Sequence, residues 1–443
     1  MRTLVLVDGE HYPPVTLAGI VAARERGHDV VGALLVGGTE KLDPASPLEL
    51  GVPLREAGPD RMAALAGGLD EWVPEVVLDL SDEPVLGYRE RMELVAVTLA
   101  RGISYLGPDF RLDPPIDGPR LDAPTLAVIG TGKRTGKTAI AGAVAREAAR
   151  RGLDPIVVAM GRGGPPEPQV VEAGALTLAH LLELAVSGRH AASDYLEDAV
   201  TSGVTTIGAR RAGGGLAGRP YLSNVRAAAE IAVSRDPDLV ILEGSGAAIP
   251  PVPWDAGVLV VPADAPPEYL GGYLGPFRLL LSDLVVVTMT SGPFTGSENL
   301  SALRSHVRRF TDEARMLVTD FVPEPLRDVR GERVFFATTA PEPAATRQAE
   351  HLETVHGCRV VARSARLADR AGFAEDLDAA HGYDVLLTEL KAAAIDIGAA
   401  RAADRGAEVV FVDNRAVVVE GSDDLDSALA QTIETARNRG NAR

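Results

Sequence analysis

Residues 125–142, TLAVIGTGKRTGKTAIAG, constrain this chain more than any other stretch. Residues 125–129 are apolar, as a buried parallel strand requires. Residues 130–138 are small, polar and basic, and from Ala139 the composition is helical as far as Gly152. A glycine-rich loop between a strand and a helix N-terminus gathers inward-pointing N–H groups and the positive end of a helix dipole, so it binds anions. Gly136, Lys137 and Thr138 form the functional end of a Walker A loop. In such a loop the lysine reaches the β- and γ-phosphates of a nucleotide and the hydroxyl binds Mg²⁺. The cradle is expected at Gly130, Thr131, Gly132, Lys133, Arg134, Thr135, Gly136, Lys137 and Thr138, with ATP and Mg²⁺ as cofactors.

The usual pattern has glycine five residues before Gly136, where this chain has Thr131 between Gly130 and Gly132. The spacing Gly-Thr-x-x-x-x-Gly-Lys-Thr resembles dethiobiotin synthetase and related P-loop enzymes. A glycine-rich turn carrying a chance GKT is the bland alternative, and the strand and helix on either side weigh against it.

At 443 residues and 46% apolar content the chain is globular, with room for two to four domains. It contains no run of eighteen uncharged apolar residues and no signal-like segment before its first strand, so no membrane span is expected. One cysteine, Cys358, offers neither an internal disulfide nor metal-site spacing. A soluble cytoplasmic protein, assembled as a homodimer, is the expectation. The net charge of −18 argues against nucleic acid as a partner. That charge is uneven: residues 122–226 hold twelve Lys or Arg against nine Asp or Glu. The basic surplus coincides with the phosphate loop, as a site for strongly anionic ligands would have it, although a locally neutral core domain has the same balance.

Residues 1–121 alternate strands (2–8, 28–38, 75–82) with helical stretches, which predicts a parallel sheet covered on both faces. Ligands of such sheets bind beyond the carboxyl ends of strands. There lies the segment Asp8-Gly9-Glu10-His11-Tyr12, in which His11 is a proton carrier or a substrate ligand, or else a surface histidine of a turn. The Pro-rich residues 111–125 read as an interdomain linker. The central domain, 122–325, repeats the alternation. Its second strand ends at Gly161-Arg162-Gly163-Gly164, where Arg162 is a candidate for neutralising charge near the γ-phosphate or the acceptor, or else an exposed turn residue. Residues 203–226 carry Arg210, Arg211, Arg219 and Arg226 around Gly213-Gly214-Gly215. Arginine forks beside glycine backbone suit a multiply phosphorylated small substrate, and the same composition suits a mobile surface loop. The strand 238–242 ends in Glu243, the acid expected to partner Mg²⁺ opposite a Walker A loop. Two further strands, 256–264 and 283–289, follow, and the second ends where a nucleotide base would sit. No NKxD signature follows, so ATP rather than GTP is expected.

Residues 326–443 form another small α/β unit, with Lys391 and Arg415 at strand ends as further candidates for anion contact or as solvent-exposed residues. The expected architecture is thus α/β: a parallel-sheet P-loop NTPase domain flanked by N- and C-terminal Rossmann-like α/β domains.

Four segments carry a family resemblance: LVDGEHYPPV, GTGKRTGKT, LEGSGAAIPPV, and TELKAAAIDI with VDNR. Together they resemble the cyclic 2,3-diphosphoglycerate synthetases, from the N-terminus to about residue 415. The resemblance implies ATP-dependent closure of 2,3-bisphosphoglycerate into a cyclic pyrophosphate, with release of ADP and phosphate. Lys133, Arg134 and Lys137, with Mg²⁺ on Thr138 and Glu243, would then hold the transferring group, and the arginines of 210–226 would hold the acceptor. No protein nucleophile is needed, and no Ser-His-Asp or Cys-His set stands out. Two other classes stay open: a P-loop ligase that activates a carboxylate, and a nucleotide-gated switch. Partition-type switches carry a second lysine five residues before the loop lysine, and here that position is Gly132.

Overall fold

The computed structural model describes residues 1–43, 48–188, 191–290, 297–311, 315–420 and 424–442. In the N-terminal unit the strands are β1 (Arg2–Val7), β2 (Asp29–Leu35), β3 (Leu54–Glu56), β4 (Val76–Asp79), β5 (Ser104–Leu106) and β6 (Arg111–Leu112). They form a six-stranded sheet in the order β3-β2-β1-β4-β5-β6. It is parallel from β3 to β5, and β6 adds antiparallel to the edge.

The second sheet comprises β7 (Thr125–Gly130), β8 (Pro155–Gly161), β9 (Gln169–Val171), β10 (Thr206–Ala212), β11 (Leu222–Ser223), β12 (Leu239–Glu243), β13 (Ala256–Pro262) and β14 (Leu284–Thr288). It continues through β15 (Arg315–Pro325), β16 (Arg333–Ala337), β17 (Arg359–Ser364), β18 (Val385–Thr388) and β19 (Glu408–Glu420). The order is β11-β10-β8-β12-β7-β13-β14-β15-β19-β18-β16-β17, with β9 beside β10. From β10 to β15 the path is parallel, as expected. Every residue of β7, β8 and β12 is buried, because helices cover both faces, and this is why the sequence there is continuously apolar.

The C-terminal unit does not carry a separate sheet. β15 and β19 pair antiparallel over residues 318–325, which welds β16 to β19 onto the central sheet. The final helix, Leu425–Asn441, leaves that unit again and packs on the helix Lys137–Arg150 and on β7 and β13. Leu429, Ile433 and Ala436 lie in the same core as Ile140 and Val144.

The N-terminal unit is attached by its helix Tyr88–Ala100, which packs on the helix Gly275–Leu280. Leu94 and Val97 share a core with Phe277. Tyr88 meets Tyr273 edge-on at 5.9 Å, and Arg309 pairs with Glu93 at 2.8 Å.

The arginine-rich stretch is partly strand. Residues 206–212 of the arginine-rich stretch form β10, registered against β8 so that Arg210 lies opposite Gly161. Adjacent residues of a strand face opposite ways, so Arg210 and Arg211 point to different sides of the sheet.

Candidate active site

The P-loop strand β7 lies between β12 and β13. Its register pairs Val128 with Glu243, two residues before the loop begins at Gly130. β8 pairs Ala159 with Glu243, and β10 pairs Arg210 with Gly161. The carboxyl ends of four adjacent strands therefore bring the loop, Glu243, Arg162 and Arg211 to one edge.

The loop is held from several sides. Lys137 Nζ donates to Gly132 O at 2.7 Å and to Thr135 Oγ1 at 3.2 Å. Thr288, at the end of β14, donates its hydroxyl to Thr135 O at 2.8 Å. Gly136 has φ +91°, and a Cβ there would meet the Phe321 ring of β15 at 2.4 Å, so only glycine fits the turn into the helix. Lys133 and Arg134 are exposed at the loop's tip.

Lys137 is 7% exposed. Burial lowers its pKa to about 8, against the opposing pull of Glu243 and Asp194, while Arg162 and Arg211 push it further down. The lysine is cationic below that value and neutral above it. Affinity for an ATP analogue is therefore expected to hold to about pH 8 and to fall about tenfold per pH unit above it. Equilibrium titrations from pH 7 upwards check this, and Lys137→Ala should flatten the profile.

Thr138 donates its hydroxyl to Glu243 Oε1 at 2.7 Å. The other oxygen of Glu243 is buried with no hydrogen-bond partner. A buried, half-satisfied carboxylate beside the Walker A hydroxyl suits a hard divalent cation, which takes oxygen donors and completes its shell with water and nucleotide phosphate. Among the described residues no group of three or more His, Cys, Asp and Glu side chains forms an all-protein metal cage. That is the usual economy of a Mg²⁺–nucleotide site.

Arg211 is 9% exposed, with Nη1 on Gly213 O at 2.6 Å and Nη2 on Ser245 O at 2.7 Å. Its Nε, also buried, has no partner. Arg162, exposed, approaches the same turn after β12. A Cβ at Gly246, where φ is +62°, would meet Arg162 Nη2 at 2.6 Å and Arg211 Nη2 at 3.2 Å. Two guanidiniums thus flank one glycine turn, and burial with mutual repulsion lowers the pKa of Arg211. Guanidinium pairs of this kind are receptors for phosphate.

Three of the expected arginines do other work. Arg210 donates from Nε and Nη2 to Gly164 O, both at 3.2 Å, and so holds the Gly161–Gly164 turn from behind. Arg219 pairs with Asp117 at 2.6 Å and also donates to Pro114 O. Arg226 donates to Asp117 O and Pro119 O at 2.7 and 3.1 Å. These two pin the Pro-rich linker, whose carbonyls, freed of strand partners, take the donors. His11 lies in the N-terminal unit between Asp8, 2.8 Å from Nδ1, and Asp82, 3.3 Å from Nε2. Those contacts fix its ring at the switch between β1 and β4 and do not join it to the loop. Lys391 pairs with Glu197 at 2.9 Å. Burial disfavours its charge, but Glu197 and Glu389 outweigh that and raise its pKa. Arg415 stays half-exposed, 3.9 Å from Asp413.

The sequence reading missed the helix Asp194–Ser202. Asp194 acts electrostatically on Lys137, Arg211, Glu243 and Lys391, and so sits among them. Asp198, one turn on, is fully buried. The signal was available: acids at 194, 197 and 198 fall on neighbouring helical positions just before the arginine stretch.

Comparison with known proteins gives three family models that tile the chain. They are described as the N-terminal domain (residues 2–113), the P-loop domain (125–320) and the C-terminal domain (325–415) of cyclic 2,3-diphosphoglycerate synthetase. A curated protein named cyclic 2,3-diphosphoglycerate synthetase, from Rubrobacter xylanophilus, is 47% identical over 98% of both chains. One of the same name from Methanothermobacter thermautotrophicus is 42% identical over 98% of this chain and 96% of its own. Solved structures are more distant: LpxK from Aquifex aeolicus, in complex with ATP, aligns with 78% of this chain and 96% of its own at 13% identity and a TM-score of 0.43.

Proposed function

Because the chain belongs to the cyclic 2,3-diphosphoglycerate synthetase family, we propose that it uses ATP to close 2,3-bisphosphoglycerate into cyclic 2,3-diphosphoglycerate, releasing ADP and phosphate. The observation that carries the reading is the pairing of a P-loop with two guanidiniums, the buried Arg211 and the exposed Arg162, at the same sheet edge. A carboxylate-activating ligase has a less charged acceptor and less need of them. A nucleotide switch has no acceptor at all.

The chemistry follows from charge. The acceptor carries about four negative charges on two phosphates, each contributing nearly two near neutral pH. One of its phosphate oxygens attacks the γ-phosphorus, and the bond to the ADP oxygen breaks. The acceptor phosphate is now part of an anhydride. The neighbouring phosphate attacks its phosphorus, and inorganic phosphate leaves with the bridging oxygen. Both steps need like-charged groups brought together, so the protein's task is positioning and neutralisation. Lys137 and the loop N–H groups orient the γ-phosphoryl, with the exposed Lys133 and Arg134 free to close on it. Arg162 and Arg211 hold the two acceptor phosphates side by side. Thr138 and Glu243 would hold Mg²⁺, which when bound spreads the charge of the transferring group. Arg210 and Lys391 support this edge from behind.

The expected three-unit division, 1–121, 122–325 and 326–443, is kept in this proposal, with the helix Leu425–Asn441 serving the central unit. A cytoplasmic location is supported by the use of ATP and by the single buried cysteine. No described helix is long and apolar enough to cross a membrane. A homodimer completes the proposal, to be read by sedimentation.

The test is phosphorus NMR of the reaction mixture. ADP release should depend on 2,3-bisphosphoglycerate, and a pair of upfield pyrophosphate-type signals should appear. ADP and phosphate alone, at a rate indifferent to the added acid, would exclude the reading. Arg211→Ala should raise the KM for the acceptor or lower kcat by about a hundredfold, as loss of a charged hydrogen-bond donor does, without weakening ATP.

A further inference from the structure

Asp198 is fully buried, on the inner face of the helix Asp194–Ser202. Neither of its carboxylate oxygens receives a donor, and neither does Glu243 Oε2. The two carboxylates nevertheless lie close enough to interact as a hydrogen-bonded pair. With both groups ionised, three acceptor oxygens converge in a dry site with no donor among them. An arrangement of that kind is unfavourable unless a proton or a cation fills it. Thr138, whose hydroxyl rests on the other oxygen of Glu243, fixes the place beside the nucleotide phosphates. The helix is held there from outside by the ion pair between Glu197, the preceding residue, and Lys391 of the C-terminal unit.

We propose that Asp198 is a second carboxylate of the divalent-cation site, completing with Thr138 and Glu243 the protein's share of the Mg²⁺ shell. This rests on the ATP reading above. It gives the helix a task that the loop and β12 do not cover. Two carboxylates, one hydroxyl and phosphate oxygens are the donor set a Mg²⁺–nucleotide site takes. It also accounts for the Glu197–Lys391 pair, which places the C-terminal unit one residue from the metal.

The experiment is Mn²⁺ binding, followed by electron paramagnetic resonance, to the full chain loaded with a non-hydrolysable ATP analogue. Asp198→Asn preserves size and can still hydrogen-bond to Glu243, so a merely structural partner would leave Mn²⁺ affinity unchanged. The proposal expects a loss of tenfold or more. Unchanged affinity in the folded variant overturns it. Should the variant not fold, the unaltered chain decides: with carbon-13 in its aspartate carboxyls, bound Mn²⁺ should couple to an aspartate carbon. A spectrum without that coupling overturns the proposal. Analogue binding in EDTA, measured on the same samples, tests the ATP reading separately. Intact nucleotide binding with unaltered metal affinity removes Asp198 alone, whereas no nucleotide binding to the wild type removes both readings.

Discussion

Lys137→Ala should abolish ATP turnover while leaving the fold intact. The side chain is already drawn into the loop by Gly132 O and Thr135 Oγ1, so its ammonium is preorganised before any phosphate arrives. Preorganised charge of this kind costs no reorientation at the moment of transfer, and its removal typically costs about 4 kcal/mol in the transition state, or roughly a thousandfold in rate. Stability should change little. The lysine is buried and partly stripped of water, so removing it relieves a desolvation cost while giving up two hydrogen bonds. Steady-state ADP release checks the first part and thermal melting the second. A folded variant with near-normal turnover would remove the loop from the mechanism.

Glu243→Gln is the second large effect. The amide keeps the shape and can still accept the Thr138 hydroxyl, so the loop should hold its geometry. What is lost is negative charge facing the cation. A neutral amide is a poor ligand for Mg²⁺, and the expected result is a Mg²⁺ requirement raised by at least ten- to hundredfold, with metal-free nucleotide affinity unchanged or improved. The improvement, where seen, comes from removing a carboxylate that repels the phosphates. A Mg²⁺ titration superimposable on the wild type would place Glu243 away from the metal.

The central site was legible because its parts are local. GTGKRTGKT carries its own turn, lysine and helix start, and Glu243 follows an unbroken apolar strand. The arginine stretch was legible in composition and not in geometry. Two adjacent arginines look like one cluster until a strand puts them on opposite faces, and only the register of β10 against β8 does that. Arg219 and Arg226 answer to linker carbonyls about a hundred residues earlier, which no local pattern reveals. Asp198 was overlooked for the converse reason. An acid in an amphipathic helix reads as solvated, and its burial comes from that helix packing on Lys137–Arg150, β8 and β10. The continuity of the sheet was equally hidden, because β15 and β19 choose each other across about ninety residues.

That continuity has a consequence for how the chain is made. The helix Lys137–Arg150 and strands β7 and β13 acquire their last cover from residues 425–441. β15 acquires its outer partner only from β19. These segments follow the nucleotide-binding unit in the chain, so that unit is synthesised before them and yet cannot finish its own core. Through most of synthesis an apolar flank, including Ile140 and Val144, and one open strand edge stay uncovered. The N-terminal unit closes its sheet within residues 1–112, and only its helix Tyr88–Ala100 waits for later cover, from Gly275–Leu280. Competence for catalysis therefore waits for residues 408–441, and a chain cut before them should be a client for chaperones rather than a slow enzyme.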